Sequence, residues 1–382
     1  MCRRRCAIHS ALLALLAPAT VFATEETAVA FKGYYKNLLV ESRTAFPLVE
    51  DYTLDLNRLR LELRGRPVEW FGYEVQYDNE AFLGSYLDTA QFAQMKTAKP
   101  MTYWDLEGDY LDRGSVYARH RLYRAFASVT SGTTDLKLGR QRIAWGSGRL
   151  WNPTDILNPY NPVQLEREER PGVDAALLEA NLGALSRLSL VYAPPVEPAR
   201  ASMALHVRGN FAGTDVALLA GEFHGDRVAG LDLIGRFGDA GVYAEMARTR
   251  AEGGDSNTRA VAGAEYAFAN TLTIGAELYY NGRGTTDRAR YDFARLFAGE
   301  IQNVARHYVG ARLNYELTPL LRTENYLIIN RDDGSRFFAP SLVYSLAANW
   351  DWAVGAQFFS GDAGSEYGRF YEVYHTHVQW FF

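Results

Sequence analysis

Apolar and polar residues alternate along most of this chain with the period of a β-strand. In the segment WFGYEVQYDN (70–79), the apolar residues Phe71, Tyr73, Val75 and Tyr77 occupy one face. Successive side chains of a strand point to opposite faces, so such a segment has one apolar and one polar face. About eighteen segments show this pattern, which predicts an all-β fold.

The connections between these segments alternate between short and long. Short links contain Gly, Pro, Asn or Asp, as tight turns require, and examples are 64–68, 131–135 and 210–215. The intervening links are mostly longer, with the longest at about 80–116 and 144–171. Tight turns at one end and long loops at the other are typical of outer-membrane barrels. We therefore predict a transmembrane antiparallel up-and-down β-barrel of about 18 strands (16–18), with extracellular long loops and both termini in the periplasm.

The first 23 residues have the pattern of a secretory signal peptide. Three arginines precede a short apolar run, and the sequence VFA ending at Ala23 is a small-x-small cleavage site. We predict that residues 1–23 are removed on export and that 24–382 form a single barrel. Both cysteines, Cys2 and Cys6, lie in the removed segment, so no disulfide is expected in the mature chain.

Composition narrows the class of protein. The chain contains 24 Tyr, 20 Phe and 7 Trp, yet no stretch is apolar enough for a membrane-spanning helix. An exported, aromatic-rich chain of this kind is expected in the outer membrane of a Gram-negative bacterium. The net charge of -5 argues against nucleic acid as a partner. The expected partners are outer-membrane lipid, the barrel assembly machinery and a small polar or anionic solute.

The chain ends with an amphipathic strand, YEVYHTHVQWFF. Tyr374, Thr376, Val378, Trp380 and Phe382 share one face of that strand. Because a barrel in lipid cannot leave backbone hydrogen bonds open, its last strand must pair with its first. The aromatic register that ends on Phe382 resembles the signal by which outer-membrane proteins are recognised for insertion, and we predict that role for Tyr374, Val378, Trp380 and Phe382.

The polar faces of the strands predict the lining of the barrel. An arginine that faces lipid at the bilayer midplane costs roughly 2 to 4 kcal/mol, so NRLRLELR (57–64) should send its leucines to lipid and its arginines inward. A barrel of about eighteen strands is wide enough for an aqueous lumen. The predicted channel-lining residues carry both signs of charge and are Lys32, Lys36, Arg58, Arg60, Glu62, Arg64, Glu74, Asp78, Arg124, Arg306, Arg312, Glu316, Arg322 and Glu324.

Two interpretations of these charges are open. Opposite charges across the lumen would produce a transverse field that orients polar solutes. Alternatively, charges on adjacent strands pair and brace the wall. In DLKLGRQR (135–142), Arg140 and Arg142 share the face of the leucines, so they must lie above the bilayer or the strand must bulge.

Residues 138–172 form the most unusual segment. Its three Asn-Pro pairs favour turns over regular strand or helix, and its aromatic residues require burial. We expect this loop to fold over or into the pore, where aromatic and basic side chains suit a sugar or an anion. A structural cap over the rim is the alternative. The predicted constriction-loop residues are Arg142, Trp145, Arg149, Trp151, Asn152, Asp155, Tyr160 and Arg167.

The strand NRLRLELR and the segment LGRQRIAWG, which opens the long loop, resemble the outer-membrane porins of the alginate-export type and related proteobacterial porins. In the alginate-export family a basic lumen passes an anionic polysaccharide. The resemblance therefore implies a channel for anionic or saccharide solutes. The mixed charges of this chain depart from that basic pattern.

The predicted function is a porin that passes small polar or anionic solutes by diffusion, with no catalytic site, cofactor or metal. One alternative is a barrel that sheaths a periplasmic partner, such as an export or electron-transfer complex. The chain has no Cys-x-x-Cys-His motif, so any haem would belong to that partner. An outer-membrane hydrolase is a further alternative, but the chain lacks a Gly-x-Ser-x-Gly motif.

Overall fold

The computed structural model describes residues 29–98, 102–159, 161–166, 170 and 172–382. The predicted signal peptide, Tyr160 and Arg167 lie outside the described residues. Nineteen strands in this part of the chain form one antiparallel sheet, and eighteen of them close it into a barrel. The prediction of an all-β, antiparallel barrel of eighteen strands is confirmed.

Each barrel strand pairs with its neighbours along the chain, except that β4 lies within a loop and β3 pairs directly with β5. The strands are β1 Val29–Arg43, β2 Asp51–Val68, β3 Phe71–Leu83, β4 Glu107–Asp112, β5 Val116–Ser131, β6 Thr134–Gln141, β7 Val173–Asn181, β8 Arg187–Ala193, β9 Ser202–Phe211, β10 Thr214–Phe223, β11 Asp226–Phe237, β12 Ala240–Arg250, β13 Ser256–Ala267, β14 Thr273–Asn281, β15 His307–Thr318, β16 Leu321–Asn330, β17 Arg336–Ala347, β18 Trp350–Ser360 and β19 Val373–Phe381.

Short helical segments occur only in the loops of the described chain. They are the α-helices α1 Ala90–Thr97 and α2 Phe293–Phe297, and the 3-10 turns Ser85–Asp88, Arg288–Arg290 and Tyr367–Arg369. None of these helices is long and apolar enough to cross a bilayer.

Pairing of β1 with β19 closes the barrel, in register from Tyr34 opposite Phe381 to Glu41 opposite Tyr374. Phe382 adds the last two backbone bonds, because its N–H donates to the Gly33 carbonyl at 3.0 Å and its carbonyl accepts from the Gly33 N–H at 2.9 Å. A Cβ at Gly33 would lie 2.7 Å from the Phe382 ring, so the glycine makes room for the terminal aromatic.

The barrel has two different rims. At the short-turn rim, where β2 meets β3 and β5 meets β6, the connecting segments have two to five residues. The opposite rim, called the long-loop rim, carries 84–115, 142–172 and 282–306, although only two residues join β10 to β11 there. The turn predicted at 64–68 is wrong, because β2 continues to Val68 and turns at 69–70. Arg66 and Pro67 fall in a bulge, where proline needs no ladder hydrogen bond.

The outward face of the barrel is apolar. Large apolar side chains on many strands are exposed in a way that is rare on a soluble protein, and this surface requires lipid around it. They include Leu39, Leu63, Leu138, Leu190, Met203, Leu218, Met246, Leu278, Leu342, Trp352, Val354, Phe358 and Tyr374. On β2 the exposed Leu63 alternates with the buried Arg58 and Arg60, so the predicted orientation of that strand is correct.

The inside of the barrel is filled near the long-loop rim by three apolar clusters. One cluster joins α1 to the inward faces of β1, β2, β3 and β5 through Phe92, which packs on Phe82 and Tyr117. The two others join loop 142–172 to the remaining strands. Through α1, the long loop predicted at about 80–116 therefore packs into the mouth of the barrel.

Arg140 lies where β6 separates from β5. β6 pairs with β5 only as far as Ala125. Beyond that residue, β4 pairs with β5 instead. Arg140 pairs with Asp174 at 2.9 Å and also donates to the Leu122 and Trp104 carbonyls. Arg140 can therefore lie on the same face as the leucines, because loop residues bury its guanidinium group and provide hydrogen-bond acceptors for it at the end of the strand.

We predict that deletion of Phe382 lowers the yield of folded barrel. The deletion leaves the N–H and carbonyl of Gly33 without partners, and unsatisfied backbone groups in lipid cost several kcal/mol. The fraction of protein with heat-modifiable mobility, measured in outer-membrane preparations, should fall. Phe237→Ala, which removes an exposed aromatic ring at a turn, is the matched control and should behave as wild type. Equal folded fractions for the deletion and the control would contradict this role.

Candidate functional site: a loop folded into the barrel

Residues 142–172, called the lumen loop from here on, connect β6 to β7 and contact strands on opposite sides of the barrel. Ser147 reaches Glu245 on β12, Glu166 reaches Arg58 on β2, and the Val163 carbonyl accepts from Gln357 on β18. A loop that contacts such distant strands must cross the interior. Of the two predicted locations, inside the pore or capping the rim, the structure shows the interior.

A carboxylate on β12 holds the first part of the lumen loop. Glu245 accepts hydrogen bonds from the backbone N–H groups of Ser147 at 2.6 Å and Gly148 at 2.5 Å. Its second oxygen accepts from the Thr154 hydroxyl at 2.8 Å. The loop's own amide groups therefore satisfy this buried anion, as charge-assisted hydrogen bonds do at anion-binding turns.

Glu277 on β14 binds the next residues of the lumen loop. It accepts from the backbone N–H groups of Arg149, Leu150 and Trp151, and from the Tyr243 hydroxyl at 2.8 Å. Bonds between a charged acceptor and several amides are strong, about 1.5 to 3 kcal/mol each. The chain direction of the loop at this point is therefore set by the carboxylate of the wall.

Trp151 anchors the middle of the lumen loop. Its ring is 1% exposed, stacks on Tyr279 at 5.0 Å between ring centroids, and donates through Nε1 to Asn303. Gly310 on β15 leaves space for Leu150 and Trp151, since a Cβ there would lie 2.3 Å from a methyl carbon of Leu150 and 2.8 Å from the Trp151 ring. Burial of an aromatic ring on this scale stabilises the inserted conformation.

A second apolar group of the loop packs on β7 to β12. Ile143 is buried there with Ile156 and Leu157 beside it. Trp145 stacks on His206 of β9, with nearly parallel rings 5.0 Å apart. The predicted need for burial of these residues is thus met by the inner wall.

The last part of the lumen loop is held by basic residues. Glu166 accepts from Lys36 at 2.9 Å and from both terminal nitrogens of Arg58 at 2.8 Å. Burial alone would raise the pKa of Glu166, but Lys36 and Arg58 outweigh it and lower that pKa to about 2. The loop is therefore attached by carboxylates of one wall at its start and by cations of the opposite wall at its end.

The cations of β2 are compensated by acids. Arg58 also donates to Glu80 at 2.7 Å, and Arg60 makes a bidentate pair with Asp78 at 2.6 and 2.7 Å. Arg64 pairs with Glu74 at 3.2 Å. For this strand the predicted bracing of the wall is what the structure shows, and the arginines do not form a free positive surface.

A bulge on β5 brings two adjacent residues to the inside. The register shifts between Gln76 and Tyr77 on β3, so Tyr123 is an extra residue on β5. Its ring lies between cations, with the Arg60 guanidinium at 3.9 Å and that of Arg124 at 4.3 Å. Arg124 donates to the carbonyl oxygens of Tyr123 and Arg170, and the bulge therefore places two guanidinium groups on one tyrosine.

Arg124 and Arg142 lie close together where the lumen loop begins. Within the described residues neither forms an ion pair with a carboxylate, although Arg142 and Arg60 are charged neighbours of Arg124. Arg142 is exposed at the start of the lumen loop. Counting only the residues that the structure describes, positive charge is therefore in excess where the loop leaves β6.

The other predicted site residues have simple placements. Arg149 and Arg312 share Glu265, Arg322 pairs with Glu324, and Asp155 pairs with Arg170. The Asn152 side chain donates to the Gly148 carbonyl. Arg306 lies before β15 at the long-loop rim and donates to the Gly284 carbonyl. Lys32 is exposed on β1 and Glu62 lies 3.6 Å from Arg64. Glu316 is exposed on β15.

Sequence reasoning missed the residues that hold the loop in place. Glu166 lies in the charged run EREER, which gave no sign of its partners 108 and 130 residues away. Glu80 binds three arginines, Arg58, Arg119 and Arg121, from the boundary of a predicted loop. Alternation identifies which strand residues face inward, but not which of them a loop will contact.

No group of three or more His, Cys, Asp or Glu residues in the described part of the chain is arranged to hold a metal ion.

Similar folds are found among solved structures. No protein-family model and no curated protein matches the chain. OccK5 (OpdH) of Pseudomonas aeruginosa aligns with a TM-score of 0.61 at 11% identity, over 92% of this chain and 97% of that one. OpdK of the same organism, an outer-membrane protein solved with vanillate, has a TM-score of 0.58 at 12% identity, over 93% and 98%.

A third structure, OccK2 (OpdF) of Pseudomonas aeruginosa in complex with glucuronate, has a TM-score of 0.56 at 12% identity, over 92% of this chain and 97% of that one. At these identities the likeness concerns the fold. The broader part of the predicted resemblance, to proteobacterial porins, is supported at that level.

Glu366 joins the loops at the long-loop rim. It is 1% exposed and accepts from the Tyr308 hydroxyl at 2.7 Å, the Asn330 amide at 2.8 Å and the Val304 N–H at 3.2 Å. Burial raises the pKa of Glu366 to about 7 in spite of these donors. The carboxyl group therefore changes its charge near neutral pH.

We predict that loop 361–372 becomes less stable as the pH rises from about 4.5 through 7. The folded loop binds the proton more tightly than the free chain, whose carboxyl pKa is 4.5, so deprotonation favours opening. Trypsin cleavage at Arg369 should accelerate with pH, after normalisation to an unfolded peptide with the same site. Glu366→Gln should lose this pH dependence, whereas Asp362→Asn, at an exposed acid of the same loop, should keep it.

We further predict that Glu277→Gln loosens the lumen loop. Glutamine has one acceptor oxygen and no charge, so it cannot hold three amides and a hydroxyl, each worth about 1.5 to 3 kcal/mol. Single-channel recordings should show a larger and noisier conductance. Glu300→Gln, at an exposed acid of loop 282–306, is the control and should leave the conductance unchanged. A wild-type conductance in folded Glu277→Gln protein would show that the loop does not narrow the path.

Proposed function

We propose that this protein is an outer-membrane channel that passes small anionic solutes by diffusion, and that the lumen loop forms its constriction. The observation that carries this proposal is the attachment of one loop to opposite inner walls, next to two arginines without a carboxylate partner in the described chain. Solutes that cross the barrel must pass this loop. The channel-lining and constriction residues predicted above are the candidates for contact with them.

The expected topology follows from the two rims. Long loops face the cell exterior, and the short turns and both termini face the periplasm. The apolar outer face contacts outer-membrane lipid. The barrel assembly machinery inserts the chain by means of the terminal strand that carries Tyr374, Val378, Trp380 and Phe382, after removal of residues 1–23.

The sign of the preferred solute follows from which charges remain uncompensated. Glu245 and Glu277 are occupied by backbone amides of the lumen loop, while Asp78, Glu80 and Glu166 are occupied by basic side chains. Among the described residues, Arg124 and Arg142 form no ion pair with an acid, although Asp155 interacts electrostatically with Arg142. In a narrow passage with low-dielectric walls, the positive charge of these arginines raises the local concentration of anions.

Carboxylates are the class of anion that we favour. A planar guanidinium binds a carboxylate through two parallel hydrogen bonds, and aromatic faces such as Trp145 are available for stacking. The vanillate bound to OpdK and the glucuronate bound to OccK2 both carry a carboxylate, which supports the same class here. A relation to the alginate-export porins would imply transport of alginate, which is a narrower hypothesis than transport of small carboxylates.

Two other functions are less well supported. A sheath around a periplasmic partner would need space in the barrel, but three apolar clusters and the lumen loop occupy the interior at the long-loop rim. For a hydrolase, the described residues offer no arrangement that we can assign to a nucleophile and its base. We therefore propose a channel without catalytic activity.

We predict a mild anion preference that depends on Arg124 and Arg142. In a salt gradient at low ionic strength, the reversal potential of wild-type channels should indicate anion selectivity, and Arg124→Gln/Arg142→Gln should shift it toward cations. The difference should fade near 1 M salt, where the Debye length is about 3 Å. Arg113→Gln, at an exposed arginine of loop 84–115, is the control. An unchanged reversal potential in the double variant would contradict the proposed origin of selectivity.

The carboxylate hypothesis is tested by comparing glucuronate with glucose, which has the same ring without the charge. Glucuronate should enter proteoliposomes faster in a swelling assay, and the double variant should lose that advantage. Faster entry of glucose through the wild-type channel would contradict the proposed solute class.

A further inference from the structure

The outward face of the barrel contains a groove of about 750 Å³ across β11 to β15. Its floor is formed by small side chains, Ala244, Ala260 and Ala262, of which Ala244 and Ala262 are cross-strand partners. Its walls are formed by large apolar side chains: Leu231, Leu233 and Met246 on one side, and Leu278, Tyr280 and Val309 on the other. The groove is therefore a trough in a surface that otherwise presents large side chains to lipid.

The groove ends at the long-loop rim among polar groups. His307, Arg331 and Asp332 line that end. Asp332 is already satisfied, because it accepts from the backbone N–H groups of Arg306 and His307 and contacts the His307 ring nitrogen at 2.9 Å. The Arg331 guanidinium is exposed and has no partner within the described residues.

A second cation flanks the same end. Arg248 lies on the outward face of β12, two residues closer to the rim than Met246. It is exposed, and its side chain donates to the Thr258 hydroxyl at 3.0 Å. An apolar trough thus leads toward the long-loop rim, where Arg331 lies at its end and Arg248 lies on the outward face of β12.

We propose that this groove is a binding site for an anionic lipid, with an acyl chain in the trough and the anionic headgroup at its polar end, where Arg331 lines the groove and Arg248 lies on the outward face of β12. The lining of a trough in lipid loses dispersion contacts when nothing packs against it. A molecule that makes many contacts with the lining is therefore favoured there. An acyl chain is narrow and flexible enough to follow the alanine floor. A phosphate headgroup matches a guanidinium group in charge and in hydrogen-bond geometry.

A second copy of the chain fits this surface less well. Copies related by a two-fold axis along the membrane normal place equal ends side by side, so Arg248 and Arg331 of both copies would approach each other. Like charges at such an interface disfavour it. A lipid supplies the opposite charge and needs no symmetry.

Native mass spectrometry of the detergent-solubilised barrel tests the proposal with two probes that have identical acyl chains, phosphatidylglycerol and phosphatidylcholine. Both contain a phosphate, but only phosphatidylglycerol has a net negative charge. Wild-type protein should retain phosphatidylglycerol roughly tenfold more tightly, the factor expected from one charge-assisted contact. Equal retention of the two lipids would overturn the assignment of the charged end.

Two variants examine the two parts of the site. Arg248→Gln/Arg331→Gln should reduce retention of phosphatidylglycerol to the level of phosphatidylcholine. Ala262→Trp should fill the trough and reduce retention of both lipids. The matched controls are Arg66→Gln at the short-turn rim and Ala176→Trp on the outward face of β7, and both should retain lipid as wild type does.

Other results would overturn the proposal. If Ala262→Trp and Ala176→Trp reduce retention equally, the lipid is bound by the general outer surface. If Ala262→Trp changes the oligomeric state and leaves lipid retention intact, the groove is an interface between copies. Heat-modifiable mobility of each variant establishes that the barrel is folded before lipid is added.

Discussion

The requirement that every backbone amide in lipid has a partner determines the rest of this structure. An open sheet edge in the bilayer would leave a row of unpaired N–H and C=O groups, so eighteen strands close on themselves through β1 and β19. Closure places apolar side chains outside and polar ones inside. The interior of the barrel therefore begins as a tube lined with charges, and its contents are decided by how those charges are satisfied.

The lumen loop provides many of the hydrogen-bond and ion-pair partners for these charges. Peptide N–H groups of the loop bind the carboxylates Glu245 and Glu277, and its Glu166 binds cations on the opposite wall. Buried charges are costly unless paired, so wall and loop stabilise each other. Within the described part of the chain, a small excess of positive charge remains near the bulge in β5, and the proposed selectivity for anions rests on that excess.

The alternation of side chains between the two faces of each strand also explains the outer groove. Inward residues of β12 and β13, such as Glu245 and Val261, contact the lumen loop, while the outward residues Ala244, Ala260 and Ala262 form the floor of the groove. The two faces of a strand are under independent constraints because successive side chains point in opposite directions. A specialised inner face can therefore coexist with a specialised outer face on the same strands.

Alternation and turn residues were sufficient to predict the strand number, the inward arginines of β2 and the position of most turns. They misplaced the turn at 64–68 because Gly65 and Pro67 are also suited to a bulge, and local composition does not distinguish the two. They identified Trp145 and Trp151 as residues that need burial, but not the walls that bury them. The pairing of Arg58 with Glu166, 108 residues away, depends on where a loop without regular structure crosses the barrel.

The sequence by itself determined the closed antiparallel barrel, its apolar exterior and its charged interior, because the period of two is a local property of each strand. Only the tertiary structure decided which charges are neutralised. Arg58, Arg60 and Arg124 all face inward on sequence grounds, yet carboxylates hold the first two, while the described partners of Arg124, beside a bulge, are backbone carbonyl groups. That distinction arises from the register between strands and the path of the lumen loop, both of which are set by contacts between residues far apart in the chain.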